Sequence, residues 1–591
     1  MRPVELPRRD VEDFLAASSL FGGLDRDAIR ALAEHLDPVA VRAGEVVVAE
    51  GDPAEALYLV HAGRLLVRRS SPELGPTGDL SEIGVGETVG ELALVTDRPR
   101  SASAIARRDS RLLRLSVGGF EALVSRHPQA LRVLTTQVVD HLERPRPIGK
   151  GLSVLALVPL HGGERVARAM DDLVLEIRAA AGRVGVLRRG NVRDDEHAAV
   201  HRLEQIYDLV LMVADHADEG WTDSCADQAD RVVLVADAAG DPAAAPVERR
   251  RAARPSAIGA RTELVLAHPP ATEEPRGTAR WLAGRSVQRH HHLRVGDRRH
   301  AGRVARLLTD TATGLVCSGG GARALSEIGS IEVLLDGGLE IDAVTGTSAG
   351  ALVGGAFARD WPVDRVVRTL RRHLVDEGRP VEPTIPLVAL SSGARMTARL
   401  REVCDELAVE DQWIDFACLS TDLSERRPHV HRTGPAWRAL RSSMSIPGLF
   451  PPVASDGNLL IDGGVVDNLP VAAMTERHPG IRTVAIDVGV HRDLEAGDLP
   501  ADTVVQGLDI LRARLHPRRR TPSMAGIASV LARLAELGNR HDDAPSAVDL
   551  MIRPEVGEVS LLDFASFDVL LEAGRGAARE ALVATEPDTG G

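Results

Sequence analysis

The stretch Gly346-Thr347-Ser348-Ala349-Gly350 constrains this chain more than any other. It follows the apolar run Ile341 to Val344 and precedes the apolar stretch Ala351 to Ala358, the order of a strand, a tight turn and a helix. A serine at such a turn stands on a sharp elbow that exposes its hydroxyl, and the glycines remove side chains that would collide there. Ser348 is therefore a candidate nucleophile for acyl transfer, with Gly346 and Gly350 in support. Taken alone the pattern also fits an ordinary turn, because Gly and Ser are both turn formers.

A second glycine-rich turn lies upstream. Ser318-Gly319-Gly320-Gly321-Ala322-Arg323 follows the β-like run Gly314 to Cys317 and leads into an apolar segment. Backbone N–H groups of Gly319, Gly320 and Gly321 at a helix N-terminus can stabilise an oxyanion, with the amide of Ala349 as a further donor. Two rivals remain. One is a plain strand-to-helix turn. The other is dinucleotide binding, since Gly319, Gly321 and Ala324 satisfy G-x-G-x-x-G/A. That reading wants an acidic residue closing the next strand, about 20 residues on. Asp342 instead opens that strand, and Ser348 closes it.

Composition removes several chemistries. Lys150 is the only lysine, so Ser-Lys dyads, Schiff bases and a P-loop lysine are excluded. The four cysteines, Cys225, Cys317, Cys404 and Cys418, form no C-x-x-C pair, which suggests neither a zinc knuckle nor a disulfide framework and fits a reducing cytoplasm. Consecutive His290, His291 and His292 point apart and have no clustered partners, so no metal is expected. A net charge of −14 argues against nonspecific nucleic-acid binding. The N-terminus lacks an apolar signal core and no run of 18 apolar residues occurs, so any membrane contact is expected to be peripheral.

With 591 residues, two to four domains are expected. Short β-like runs (Glu45 to Ala49, Ala56 to His61, Leu65 to Arg68) separated by Gly51-Asp52-Pro53 and Ala62-Gly63 predict a small barrel. Phe120 to Leu142 reads as helix, broken by Arg144-Pro145-Arg146-Pro147. From Leu152 the pattern alternates. Leu152 to Leu160, Leu209 to Ala214, Val232 to Ala236 and Leu264 to Ala267 predict buried parallel strands, Val166 to Ala181 a helix, and Asp241 to Pro255 a loop. The turn His161-Gly162-Gly163-Glu164 carries no lysine, so this domain reads as Rossmann-like without a P-loop.

Further motifs complete the set. Ser442-Ser443-Met444-Ser445-Ile446-Pro447-Gly448-Leu449-Phe450-Pro451-Pro452-Val453 leads into Leu459-Leu460-Ile461-Asp462-Gly463-Gly464-Val465-Val466-Asp467-Asn468. Together with Gly319 to Arg323 and Gly346 to Gly350, these resemble the patatin-like phospholipase family over 313–468. The resemblance implies a Ser-Asp dyad: Ser348 attacks an ester carbonyl, Asp462 takes its proton, and Gly463 and Gly464 let the carboxylate loop approach. It also matches Arg323 to the family's basic position. Ala324 departs from the family's usual glycine, which predicts a displaced helix start. An ordinary triad would instead draw a histidine from His478, His491, His516 or His541, none of which sits in a motif.

Gly90-Glu91-Leu92-Ala93-Leu94 followed by Pro99-Arg100-Ser101-Ala102 has the chemistry of a phosphate cradle, although Glu91 and Arg100 alone could be a surface pair. In context it resembles the cassette of cyclic nucleotide-binding domains. That resemblance implies Glu91 on the ribose 2'-hydroxyl and Arg100 on the cyclic phosphate, with Gly90, Leu92, Ala93, Ser101 and Ala102 lining the site for cAMP or cGMP.

As a whole the chain resembles the neuropathy target esterase group of lysophospholipases, in a compact bacterial form with one cyclic-nucleotide module and no N-terminal membrane anchor. The implied architecture is multidomain α+β and α/β: a cyclic nucleotide-binding β-barrel with helices (1–146), a Rossmann-like α/β domain (147–308), a patatin-like α/β hydrolase domain (309–585) and a disordered tail (586–591). The implied function is hydrolysis of phospholipid or lysophospholipid esters without a catalytic cofactor, modulated by a cyclic nucleotide, in the cytoplasm or at the inner face of the membrane. The alternative is a cyclic-nucleotide sensor whose impaired hydrolase domain serves as a lipid- or protein-binding module; Ala324 is its only support.

Overall fold

The computed structural model describes residues 1–18, 21–53, 55–69, 79–90, 99–128, 152–192, 196–252, 261–455, 457–489, 547–557 and 559–585. They fall into two units, Met1–Thr272 with Arg280–Thr309, and Glu273–Ala279 with Asp310–Gly591. Among the described residues no helix is long and apolar enough to cross a membrane.

The first unit opens with two antiparallel sheets. One runs Arg2–Pro3, Leu36–Val41, Ser110–Ser116, Ala56–Ala62, Thr88–Val89, and the other Val46–Val48, Ser103–Ala106, Leu65–Arg68, Asp79–Ile83. The turn expected at Ala62-Gly63 requires its glycine: φ is +103°, and a side chain there would collide with Ser110. Helix Arg26–Glu34 starts where Asp25 accepts the amide of Ala28 at 2.8 Å, an N-cap worth about 1 kcal/mol. Leu15, Leu32, Leu57, Leu59, Leu113 and Leu115 form the core between helices and sheet. The helix expected from Phe120 is seen as Val117–Arg126, and residues 129–151 lie outside the described set.

A parallel sheet of six strands follows in the same unit, ordered Val184–Arg188, Leu209–Val213, Val154–Pro159, Arg231–Asp237, Arg261–His268, Arg289–Arg294. Its central strands are buried along their length, so they read as continuous apolar runs. Helix Glu164–Ala180 packs on one face through Val166, Ala169, Leu173 and Ile177.

One sequence expectation is corrected by the structure. The supposed loop at 241–255 contains helix Pro246–Ala252, because Val247 is buried and Glu248 both accepts the amide of Ala245 at 2.7 Å and pairs with Arg285. The three-histidine run lies in strand Arg289–Arg294, a structural role. His291 meets Glu263 at 2.7 Å, while His292 meets His268 at 2.9 Å, as alternation across a strand dictates.

Barrel and parallel sheet share a buried ion cluster. Asp230 Oδ1 lies 3.0 Å from Arg108 Nε and 3.2 Å from Arg64 Nε, ion pairs without hydrogen-bond alignment. Arg108 also pairs with Glu204, and Arg64 with Glu82. Burial opposes ionisation of Asp230, yet Arg108, Arg64 and the amides of Ser153 and Val154 hold its pKa at about 2.

The second unit is built on a mixed sheet ordered Val453–Ser455, Asn458–Asp462, Asp415–Asp422, Ala343–Thr347, Thr313–Cys317, Arg482–Ile486, Leu550–Ile552, with Arg427–His431 also on Asp415–Asp422. The strands from Asp415–Asp422 to Leu550–Ile552 are parallel, and Asn458–Asp462 returns antiparallel. Helix Ser348–Ala358 is buried on every side, which explains its lack of any polar side chain after Ser348. Helix Leu325–Asp336 crosses the long helix Phe567–Thr585 where Gly329 and Gly574 allow contact; a methyl group at either would strike backbone of the other helix.

Candidate active site

Strand Ala343–Thr347 passes directly into helix Ser348–Ala358, and Ser348 is the residue at the bend. Its φ is +54°, a left-handed conformation that costs a non-glycine residue about 1 to 2 kcal/mol and persists only where the surroundings enforce it. They do so at several points. The amide of Ser348 donates to Ser443 Oγ at 2.8 Å, and Ser443 Oγ donates to the carbonyl of Leu419 at 2.5 Å. Thr347 Oγ1 donates to the carbonyl of Asp467 at 3.0 Å. A methyl group on Gly346 would lie 2.8 Å from Ala351, and one on Gly350 would strike the carbonyl of Ser318. Both predicted glycines are thus steric requirements of the elbow.

Asp462 ends strand Asn458–Asp462 and pairs in register with Ser420. Ser348 Oγ donates to its Oδ2 at 2.7 Å, and the amide of Gly464 donates to Oδ1 at 2.9 Å. The backbone is fixed on both sides, by the amide of Asp462 on the carbonyl of Ser445 at 2.9 Å and by Thr421 Oγ1 on the carbonyl of Asp462 at 2.8 Å. A side chain on Gly463 would strike the carbonyl of Leu419. Burial pushes the Asp462 carboxyl up to about 6, partly offset by the Ser348 hydroxyl and the Gly464 amide.

The glycine run lies against this pair: a methyl group on Gly319 would be 3.2 Å from Ser348 Cβ. The amide of Gly319, expected as an oxyanion donor, instead donates to the carbonyl of Asn468 at 3.0 Å, and Asn468 Nδ2 returns a bond to the carbonyl of Gly319 at 3.0 Å. Among the described residues the amides of Gly320, Gly321 and Ala349 have no such acceptor. Gly321 has φ +58° and abuts the carbonyl of Leu561, so it tolerates no side chain. Ala324 is different. Its φ is −61°, an ordinary helical value, and its side chain is buried, so nothing at this position calls for glycine. Arg323 does not reach the dyad; its Nε donates to the carbonyl of Val559 at 2.8 Å.

No histidine among the described residues completes a triad. His478 Nε2 meets Asp415 at 2.9 Å, and His491, His516 and His541 lie outside the described set. Ser443 and Asn468, which hold the elbow and the glycine run, stood in the quoted motifs without a role; a polar residue beside a Pro-Gly or Gly-Gly turn was the available signal.

In the barrel, Glu91, Leu92 and Ala93 lie outside the described residues. Gly90 and Arg100 are brought together. Gly90 has φ +91°, Arg100 is buried, and its Nη1 and Nη2 donate to the carbonyls of Gly90 (3.0 Å) and Ala56 (2.5 Å). Ser101 is exposed and Ala102 half-buried beside it.

Comparison with known proteins matches three family models along the chain: a cyclic nucleotide-binding domain over 38–127, a neuropathy target esterase family P-loop-like domain over 194–316, and a patatin-like phospholipase over 315–475. The second begins beyond the turn at His161 to Glu164. Lysophospholipase NTE1 of Yarrowia lipolytica is 28% identical over 90% of this chain and 44% of its own length. The patatin-like phospholipase domain-containing protein ZK370.4 of Caenorhabditis elegans is 29% identical over 92% of this chain and 46% of its own. The chain thus spans less than half the length of these relatives, and they lend no support to a bacterial origin. The regulatory domain of Toxoplasma gondii PKA with cAMP overlaps 23% of this chain and 50% of that one at 23% identity, with a TM-score of 0.21.

Proposed function

From the premise that this chain carries a cyclic nucleotide-binding domain, a neuropathy target esterase P-loop-like domain and a patatin-like phospholipase domain in that order, we propose that it is a serine ester hydrolase acting on phospholipids or lysophospholipids, modulated by a cyclic nucleotide. The observation that carries the reading is the 2.7 Å contact between Ser348 Oγ and Asp462 Oδ2 in a buried site.

Ser348 Oγ bonds to the ester carbonyl carbon while its proton passes to Asp462. The carbonyl oxygen becomes an oxyanion, stabilised by the amides of Gly320, Gly321 and Ala349. Collapse breaks the bond to the glycerol oxygen, which takes the proton from Asp462. Water then attacks the acyl-enzyme by the same route, releasing a fatty acid and restoring the serine. A free aspartate is a weak base at neutral pH; one raised to about 6 by burial is far better matched to the task.

The nucleotide site is assigned to Gly90, Glu91, Leu92, Ala93, Arg100, Ser101 and Ala102. Arg100 would exchange the carbonyls of Gly90 and Ala56 for the cyclic phosphate, and that exchange offers a differential contact through which a ligand can bias the fold. Domain limits at 1–146, 147–308 and 309–585 follow the same scheme, and the placement is cytoplasmic. A lipid-panel hydrolysis assay on wild type and Ser348→Ala, with and without cAMP or cGMP, tests both parts. Fatty-acid release equal in the two proteins would remove the catalytic claim, and turnover indifferent to both nucleotides would remove the regulatory one.

A further inference from the structure

The three most exposed large apolar side chains among the described residues stand almost adjacent: Ile385 (77% exposed), Leu387 (88%) and Val388 (74%), with Leu390 close behind. From Pro383 to Ala394 there is no charged side chain. Single exposed apolar residues need no explanation, but a cluster of this kind left in water marks a contact surface.

The segment is a closed finger. Pro383 bridges to Ser391, and the amide of Thr384 donates to the carbonyl of Leu390 at 3.0 Å. Glu382 ties the base by accepting the amide of Ala394 at 2.8 Å, and Ala389 is buried. Pro383 and Pro386 further restrict the chain.

Its base is fixed to the catalytic side of the unit. The amides of Leu390 and Ser391 donate to the carbonyls of Gly448 and Leu449 at 2.8 and 2.9 Å, and the same segment holds the amide of Asp462 through Ser445. Arg379 and Arg395 flank the finger, are exposed and form no ion pair among the described residues; Arg395 Nη1 donates only to the carbonyl of Arg379. An uncharged apolar tip above a pair of unpaired guanidinium groups suits a phospholipid surface, where the tip meets acyl chains and the arginines meet lipid phosphates.

We propose that residues 383–391 form a lipid-docking finger: Ile385, Leu387 and Val388 enter the acyl region of a phospholipid surface while Arg379 and Arg395 hold its phosphates. The proposal deepens the reading of Ser348 as a lipid esterase and takes its purpose from it, but docking itself requires no turnover.

The test therefore uses the full chain carrying Ser348→Ala, sedimented with vesicles of equal phosphatidylcholine and phosphatidylglycerol. Adding Ile385→Ser, Leu387→Ser and Val388→Ser should weaken binding by at least about tenfold per buried side chain. Arg379→Ala with Arg395→Ala should weaken it most at low salt. Circular dichroism confirms folding of each variant. Independently, Leu387→Cys carrying a polarity-sensitive dye should shift to the blue on adding vesicles, the native cysteines all being buried. Equal binding by the serine variant, or an unshifted dye, overturns the proposal. So does a concentration-dependent dimer that the serine changes abolish while vesicles are not bound, which would assign the finger to a second copy of the chain. Should vesicle binding hold while Ser348→Ala hydrolyses lipid as well as wild type, the catalytic reading falls and the docking stands.

Discussion

The hydroxyl of Ser348 and the carboxylate of Asp462 meet at 2.7 Å although 114 residues separate them. The serine is delivered by a strained elbow and the acid by the end of a returning strand, so their contact depends on the register between Asp415–Asp422 and its neighbours on both sides. No third side chain is needed to orient Asp462, because two backbone bonds and the Gly464 amide already do so.

The first prediction concerns pH. Asp462 accepts a proton only when ionised, and burial places its pKa at about 6, so turnover should rise with pH through a single limb centred near 6. Asp462→Asn should remove that limb and lower kcat by a factor of about 100 to 10,000. A pH profile of soluble-ester hydrolysis, beside fluorophosphonate labelling of Ser348, checks both.

The glycine run supplies a second. Gly321→Ala forces a methyl group against the Leu561 carbonyl at a left-handed position and should cost at least about 2 kcal/mol along with most of the activity. Ala324→Gly should not raise turnover; it should only lower stability by about 0.5 to 1 kcal/mol, since the alanine is already in a helical conformation. Steady-state kinetics and denaturant unfolding on the two variants decide the matter.

A third concerns Glu327, which is fully buried beneath the run, with neither carboxylate oxygen in a well-formed hydrogen bond. Burial pushes its pKa well above the ordinary 4.5, only partly offset by the Ser318 amide and the Cys317 thiol. The folded protein therefore keeps a proton that the unfolded chain releases above that value, and stability falls as pH rises from there towards the folded pKa. Glu327→Gln keeps the shape without the charge. Its unfolding midpoint should match wild type at acidic pH and exceed it at neutral and alkaline pH.

The fourth lies in the first unit. Asp230→Ala would leave Arg108 and Arg64 buried without their shared carboxylate, which should cost about 3 to 5 kcal/mol. In wild type the contribution of Asp230 is present above the unfolded value of 3.8 and is lost as pH falls towards about 2. Denaturant melts of both proteins against pH provide the measurement.

How much of this was legible in the sequence varied with the kind of signal. Ser348 and Asp462 were readable through their neighbours Gly346, Gly350 and Gly463, each of which sits where a side chain would collide, and such positions leave a residue type behind. The buried strands at Leu209 and Val232 were legible as apolar runs, whereas Val184–Arg188 and Arg289–Arg294 were not, for edge strands of this sheet carry glycine, arginine and histidine. The bond from Gly319 to Asn468 joins main-chain atoms, which no residue type records, so the engaged donor could not be told from its neighbours. The helix at Pro246 was hidden by Ala and Arg that also suit a loop.

The glycine turn at Gly321 to Arg323 leans on Val559 and Leu561, whose carbonyls hold Arg323 and Ala322. Arg323 and Val559 stand 236 residues apart, so the turn beside Ser348 acquires its finished surroundings only after that later stretch has been made. A shorter nascent chain already carrying Ser348 and Asp462 should stay silent towards a fluorophosphonate probe until residues 559–561 have been made and packed against the turn.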